Sequence, residues 1–338
     1  MTRHRPCRFL VLVCAVPLVA QQSAVAPERA LLQEMAGTWK VTSSGMATAA
    51  AKAVASEQLE VAELVCGGLW LQSVTYAGNN EMHWLTGCDP ARHSFVRVRV
   101  SGTLEAVVED GEFDAVQRTI TWRGRSATAR KLGLLTVLAL PQGEPPTERL
   151  FRGAPAGKPL TERVFERTKA EVPAVAPGRP TIAPEHELLT SLAGEWQCAI
   201  TATMPGMAKP MRSTGRMCDS VLTDGCWLRS VFESEFGGSR IEGRGLMGFD
   251  KQQRRYVRFW VDSGSPVLAI STCTLDEAGK KLVGTGTLQM PDGEVTVAEE
   301  VELGIDQRRV IQRLQSADGK DAGTFEMVLT RRPATKPK

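Results

Sequence analysis

The 338 residues exceed what one compact core usually holds and suffice for two domains of ordinary size. Apolar residues make up 42% of the chain and charged residues 23%, which excludes a disordered or membrane-embedded polypeptide. The formal charge of +3 sits at the N-terminus: without Arg3, Arg5 and Arg8 the 41 basic residues fall to 38, against 38 acidic ones. A neutral chain of this kind carries no electrostatic footprint for nucleic acid or an anionic membrane.

Residues 1–20 read as a secretory signal, with a basic start (Arg3, His4, Arg5, Arg8) followed by an apolar run from Phe9 to Ala20. That run is too short to span a bilayer, which needs about 20 residues. Cleavage is expected after Ala20, with Ala24-Val25-Ala26 as the other site and an uncleaved anchor as the alternative reading. The mature chain is then periplasmic or secreted. Export leaves Cys66 and Cys88 in the first half and Cys198, Cys218, Cys226 and Cys273 in the second, an even number in each, where disulfides persist. No Cys-x-x-Cys pair occurs, so spacing supports neither zinc nor thioredoxin-type chemistry.

From Ala26 onward the chain repeats itself. Ala26-Pro27-Glu28, Leu31-Leu32 and Ala36-Gly37-Thr38-Trp39 return as Ala183-Pro184-Glu185, Leu188-Leu189 and Ala193-Gly194-Glu195-Trp196, an offset of 157 that persists from Trp70-Leu71 to Trp227-Leu228. Each copy opens on a short helix: proline suits its first turn, Leu31, Leu32 and Met35 (or Leu188, Leu189 and Leu192) share a face, and glycine stops it. Strands follow. Val96 to Val100 alternates with period two, Thr119-Ile120-Thr121-Trp122 is β-branched and aromatic, and Asp110-Gly111, Gly237-Gly238 and Asp292-Gly293 punctuate the pattern as hairpin turns. The copies occupy residues 27–169 and 183–333, joined by a proline-rich linker over 170–182 and followed by a disordered tail over 334–338. About eight or more antiparallel strands per copy are best closed as an up-and-down barrel, giving a mainly β fold without exposed edges. The turns around Ala77–Asn80 and Pro205–Pro210 place Cys66 near Cys88 and Cys198 near Cys218, predicting two disulfides, with Cys226–Cys273 as a third.

Each copy resembles the calycin superfamily and, more closely, the bacterial family known as domain of unknown function fifteen-seventy-nine. The second copy carries the resemblance through Leu192-Ala193-Gly194-Glu195-Trp196, Gly243-Arg244-Gly245-Leu246-Met247-Gly248-Phe249-Asp250 and Tyr256-Val257-Arg258-Phe259-Trp260-Val261-Asp262. The first copy is degenerate, with Arg99 and Ser101 in place of Trp260 and Asp262. Resemblance to lipocalin-like barrels implies that Trp39 with Arg167, and Trp196 with Arg331, close the barrel floors by a cation–π stack. Similarity to nitrobindins raises haem, but after export only His83, His93 and His186 remain; His186 is on the opening helix and the second barrel has none, which leaves His83, on a strand between Met82 and Trp84, as the one candidate ligand with nothing to pair with it, so no cofactor is expected.

Two strand trios are the candidate ligand-binding residues. Trp227, Arg229 and Glu233 alternate along one strand and Arg258, Trp260 and Asp262 along another, so each trio shares a face that either lines a small-molecule pocket or meets solvent. Gly243-x-Gly245-x-x-Gly248 matches a dinucleotide fingerprint only literally, since no helix follows it. No nucleophile–base constellation stands out, so no catalytic or metal-binding residue is expected. The expectation is an exported protein that binds a small apolar or amphipathic ligand in its second barrel. The alternatives are a scaffold with filled barrels, and a hydrolase or isomerase working in a barrel mouth.

Overall fold

Each copy begins with a nine-residue helix whose first residue is proline: α1 is Pro27–Met35 and α2 is Pro184–Leu192. Leu31 and Leu32, and Leu189 and Leu192, are buried under the strands that follow. Gly37 and Gly194 stop the helices at φ of 139° and 144°, a backbone conformation that favours glycine. A Cβ at either position would also collide with the guanidinium of Arg167 or Arg331.

The computed structural model describes residues 27–45, 55–89, 93–102, 106–126, 131–153, 155, 157–173, 184–222, 225–290 and 293–333. The predicted signal segment, the linker from residue 174 onward and the C-terminal tail lie outside these. Ten strands follow each helix. In the first copy they are β1 (Gly37–Gly45), β2 (Ala55–Val65), β3 (Trp70–Ala77), β4 (Asn80–Asp89), β5 (Ser94–Val100), β6 (Val107–Asp114), β7 (Thr119–Ser126), β8 (Lys131–Ala139), β9 (Thr147–Arg152) and β10 (Thr161–Arg167). In the second they are β11 (Gly194–Thr203), β12 (Met211–Val221), β13 (Trp227–Phe236), β14 (Ser239–Asp250), β15 (Arg255–Asp262), β16 (Ser265–Leu275), β17 (Lys281–Met290), β18 (Gly293–Leu303), β19 (Gln307–Ser316) and β20 (Asp321–Arg331). Every strand pairs antiparallel with its sequence neighbours, and β10 closes on β1 as β20 closes on β11. The result is two closed up-and-down barrels in tandem. Among the described residues no helix is long and apolar enough to cross a membrane.

The Ala-Gly-x-Trp signature sits where each barrel begins and ends. Trp39 opposes Arg167 and Trp196 opposes Arg331 in the closing ladders. Each guanidinium lies 4.2 Å from the indole centroid and donates to carbonyls at the end of the preceding helix: Arg167 to Glu34 and Ala36, Arg331 to Ser191 and Ala193. One arginine thus satisfies the helix C-terminus and packs the floor tryptophan.

The two barrels share a core. Trp70, Leu85, Val98, Val100 and Val108 on the outer wall of the first pack with Trp227, Leu246, Val257, Phe259 and Val261 on the outer wall of the second. Burying both walls makes the pair one packed body and gives several strands apolar residues on both faces.

Candidate functional site

The second barrel holds a cavity of about 120 Å³. Its walls are mainly apolar: Met217, Leu228, Met247, Trp260, Leu288 and Met327 all face it. Two ion pairs stand among them. Arg308 bonds Asp219, and Arg258 bonds Glu299, whose second oxygen accepts from Gln312 at 2.6 Å. Burial alone would lower the Arg258 pKa, but Glu299 beside it holds it above its ordinary value. Arg308, 3.9 Å above the Trp196 ring, goes the other way: burial lowers it and Asp219 only partly compensates. The Asp219–Arg308 pair is also left incomplete, because Asp219 Oδ1 and Arg308 Nε are buried with no hydrogen-bond partner. Both residues are over nine-tenths buried, at 3% and 7% exposed.

The candidate trios divide. Arg258 and Trp260 face the cavity. Asp262 does not: it is buried at the β15–β16 turn, where it accepts from Trp260 Nε1 at 3.2 Å and from the Gly264 amide at 2.8 Å. Burial raises its pKa, and those hydrogen bonds partly oppose the shift. The β13 trio points away from the cavity, correcting the inward reading. Trp227 belongs to the core between the barrels, Arg229 borders a small gap there beside Gln72 and His83, and Glu233 is exposed and paired with Arg240. Leu228 and Ser230 take the inward positions. Trp227 obscured the pleat: it heads an outward row that is otherwise largely charged, with Arg229, Glu233 and Glu235, yet it is buried in the core between the barrels.

The glycine fingerprint has a packing role. Gly243 and Gly245 lie beneath the Trp260 ring and Gly248 beneath that of Trp227, each so close that a Cβ would crowd the indole.

The predicted disulfides are not formed, and no disulfide joins cysteines among the described residues. Cys198 is buried inside the second barrel while Cys218 is exposed; the β11–β12 ladder sets Cys198 opposite Gly215 and Cys218 opposite Glu195, so the two thiols lie on opposite faces. Cys88 is inside the first barrel, whereas Cys66 is in the core between barrels. Cys226 and Cys273 are divided in the same way. The true turns shift each register by three residues from the sequence estimate, and an odd shift moves a side chain through the sheet. Burial pushes the Cys66, Cys198 and Cys273 thiols up to about 12 and Cys88 to about 11, so they pack as small apolar groups.

His83, the strand histidine considered for haem, lies on the outer wall of the first barrel, 3.3 Å from Glu81. His93 is paired with Glu28, and His186 packs edge-on against Phe249. Among the described residues no cluster of His, Cys, Asp and Glu could hold a metal ion.

The first barrel has a different interior. Arg97 donates to Glu109 at 2.5 Å and Glu148 at 2.8 Å, and Arg163 bonds Glu148 at 2.8 Å and Glu60 at 2.7 Å. Thr75 and Thr136 donate to the same carboxylates, and Arg97 stacks between Trp84 and Trp122 at 4.8 and 4.3 Å. Burial would raise Glu148, but Arg97 and Arg163 bring it down to about 2. What space remains is about 50 Å³.

Sequence reasoning missed Asp219, Glu299 and Arg308 in one barrel and this ion network in the other. Strand charges ordinarily read as solvated faces; aligning the copies strand by strand in their barrel register is the signal that would have drawn them inward.

Each copy is a closed ten-stranded up-and-down barrel with a helix at its floor, and the two follow one another in tandem. The chain belongs to the family described as "Protein of unknown function (DUF1579)", whose model matches residues 25–135 and 181–331. In the first copy the match stops within β8, although the barrel continues to β10. No curated protein matches the sequence. Among solved structures, Rv2717c from M. tuberculosis aligns at 13% identity over 45% of this chain and 99% of that one, with a TM-score of 0.37. The S-type phycobiliprotein lyase CPES from Guillardia theta aligns at 13% identity over 46% of this chain and 96% of its own, with a TM-score of 0.34. A DUF3598 family protein of unknown function from Nostoc punctiforme aligns at 12% identity over 90% and 99%, with a TM-score of 0.25.

Proposed function

We propose that this protein binds one small, largely apolar molecule inside its second barrel, and that the first barrel is a filled structural partner. The observation that carries this reading is the cavity in the second barrel: apolar walls around a buried ion pair in which Asp219 Oδ1 and Arg308 Nε have no partner in the protein. Buried polar atoms are nearly always satisfied, and exceptions call for an explanation such as a bound molecule. An apolar cavity of roughly 150 Å³ takes up benzene, so a space of about 120 Å³ suits a ligand of that order. Export through the N-terminal segment belongs to the same proposal, and N-terminal sequencing of the mature protein from a periplasmic or secreted fraction tests it.

The binding reading is tested with toluene as probe. Saturating toluene is expected to raise the melting temperature of the wild type by mass action. It should not do so for Val310→Glu with Met327→Arg, which writes the first barrel's Glu148–Arg163 pair into the cavity at the register-equivalent positions. Equal response of the two proteins, or none from the wild type, contradicts the reading.

A further inference from the structure

The cavity's polar groups restrict what the ligand can be. Two acids and two bases face it, Asp219 and Glu299 against Arg258 and Arg308, and each acid is paired with one base. Its net charge is therefore zero. An ionised carboxylate or amine entering it would add an uncompensated charge in a site lined by leucine, methionine and tryptophan, and desolvating such a charge is far costlier than desolvating a neutral polar group. Both oxygens of Glu299 are already engaged, one by Arg258 and the other by Gln312. Among the buried atoms without a hydrogen bond, the other pair supplies one acceptor, Asp219 Oδ1, and one donor, Arg308 Nε. A carboxylate or ether cannot donate to the first. An ammonium cannot accept from the second. A hydroxyl does both with one atom.

The register equivalents in the first barrel support assigning this pair to a ligand rather than to the fold. Asp219, opposite Gly194, corresponds to Ala62, opposite Gly37. Arg308, opposite Leu329, corresponds to Pro146, whose carbonyl accepts from Phe165. The first barrel closes around its own floor tryptophan with neither charge, so barrel closure does not require the pair.

We infer that the second barrel selects an uncharged ligand with a hydroxyl group at its polar end, an alcohol or phenol on a small hydrocarbon body, held by Asp219 and Arg308. This rests on the cavity being a binding site, and the test separates the two claims. Toluene, benzyl alcohol, benzoate and benzylamine are titrated at neutral pH against the wild type by calorimetry. Benzyl alcohol is expected to bind about threefold to tenfold more tightly than toluene, the worth of one net hydrogen bond, with benzoate and benzylamine weaker than both. Asp219→Asn, which leaves the cavity with one excess positive charge, should move the preference towards benzoate; Arg308→Gln should move it towards benzylamine. Equal weakening of all four probes by both variants contradicts the assignment. Toluene binding as well as benzyl alcohol, or benzoate binding best to the wild type, overturns the hydroxyl assignment and leaves the cavity as a site. Failure of all four probes overturns the binding reading itself. Should either variant not fold, the wild-type ranking still decides.

Discussion

Across the first ladder of each barrel, Trp39 faces Glu60 and Trp196 faces Met217. Followed around the two barrels in register, the same kind of exchange recurs. Glu109, opposite Arg97, becomes Ser271, opposite Arg258; Glu148, opposite Arg163, becomes Val310, opposite Met327. Trp122, opposite Gly111, becomes Gly284, opposite Cys273. The first barrel is thus filled by a closed network of three acids and two arginines around an indole, and the second lacks four of those charges and that indole together. The difference teaches that a buried ion network is all or nothing: removing one member strands its partners as uncompensated charges, so the set changes as a unit. The retained arginine shows the same rule, since Arg258 takes its acid from Glu299, at the register position of Thr136. A neighbouring indole changes strands: Trp84 opposite Arg99 in the first barrel becomes Gly245 opposite Trp260 in the second.

The comparison is broken most severely at its charged centre. Arg97→Met leaves Glu109 and Glu148 buried without that cation and should cost about 3–5 kcal/mol in urea unfolding. Writing the second barrel's set into the first, with Glu60→Met, Glu109→Ser, Thr136→Glu, Glu148→Val and Arg163→Met, should cost less than that single change despite altering five residues. A larger loss from the fivefold variant would contradict the all-or-nothing account.

A smaller effect is expected on the other side. Gly243→Ala sets a methyl against the Trp260 ring and should cost about 1–3 kcal/mol, with a change in tryptophan fluorescence. An unchanged unfolding midpoint would show that Trp260 is not held against β14.

The mildest perturbation is acid. Glu148 has its pKa lowered from 4.5 to about 2, so its contribution to stability is present above about pH 4.5 and is lost as pH falls through about 2. Asp262 has its pKa raised, so its contribution has the opposite sign, present at low pH and lost as pH rises through its folded value. Thermal midpoints should therefore drop between pH 4.5 and 2, and Glu148→Gln should flatten that drop. An unaltered pH profile in Glu148→Gln would remove Glu148 from the network.

Much of the fold was legible in the sequence. The offset of the two Ala-Gly-x-Trp signatures revealed the duplication, proline and glycine bounded both helices, and the Gly237-Gly238 turn with period-two strands pointed to a closed meander, whereas Asp110-Gly111, expected as a turn, lies within β6, where Gly111 makes room for Trp122. The candidate site was only half legible. Arg258 and Trp260 were singled out and face the cavity, but Trp227, Arg229 and Glu233 sit on the outer wall. Strand pleat is ordinarily read from which face is apolar, and on β13 the buried Trp227 shares the outward row with Arg229 and Glu233 because another barrel covers that end of the strand. The cysteine pairs failed for a related reason, since a turn displaced by a residue or two changes which face each thiol occupies. Asp219 and Arg308 come together only through barrel closure, 89 residues apart in the chain.

The most direct measurement of the central contrast uses the methionine methyl groups as reporters inside each barrel. Met217, Met247 and Met327 line the second cavity and Met35 the residual space in the first. With 13C-methyl methionine and added benzyl alcohol, the account predicts saturable shifts at Met217, Met247 and Met327 and none at Met35. Shifts at Met35 alone, or no saturable shift at any of the four, would contradict it.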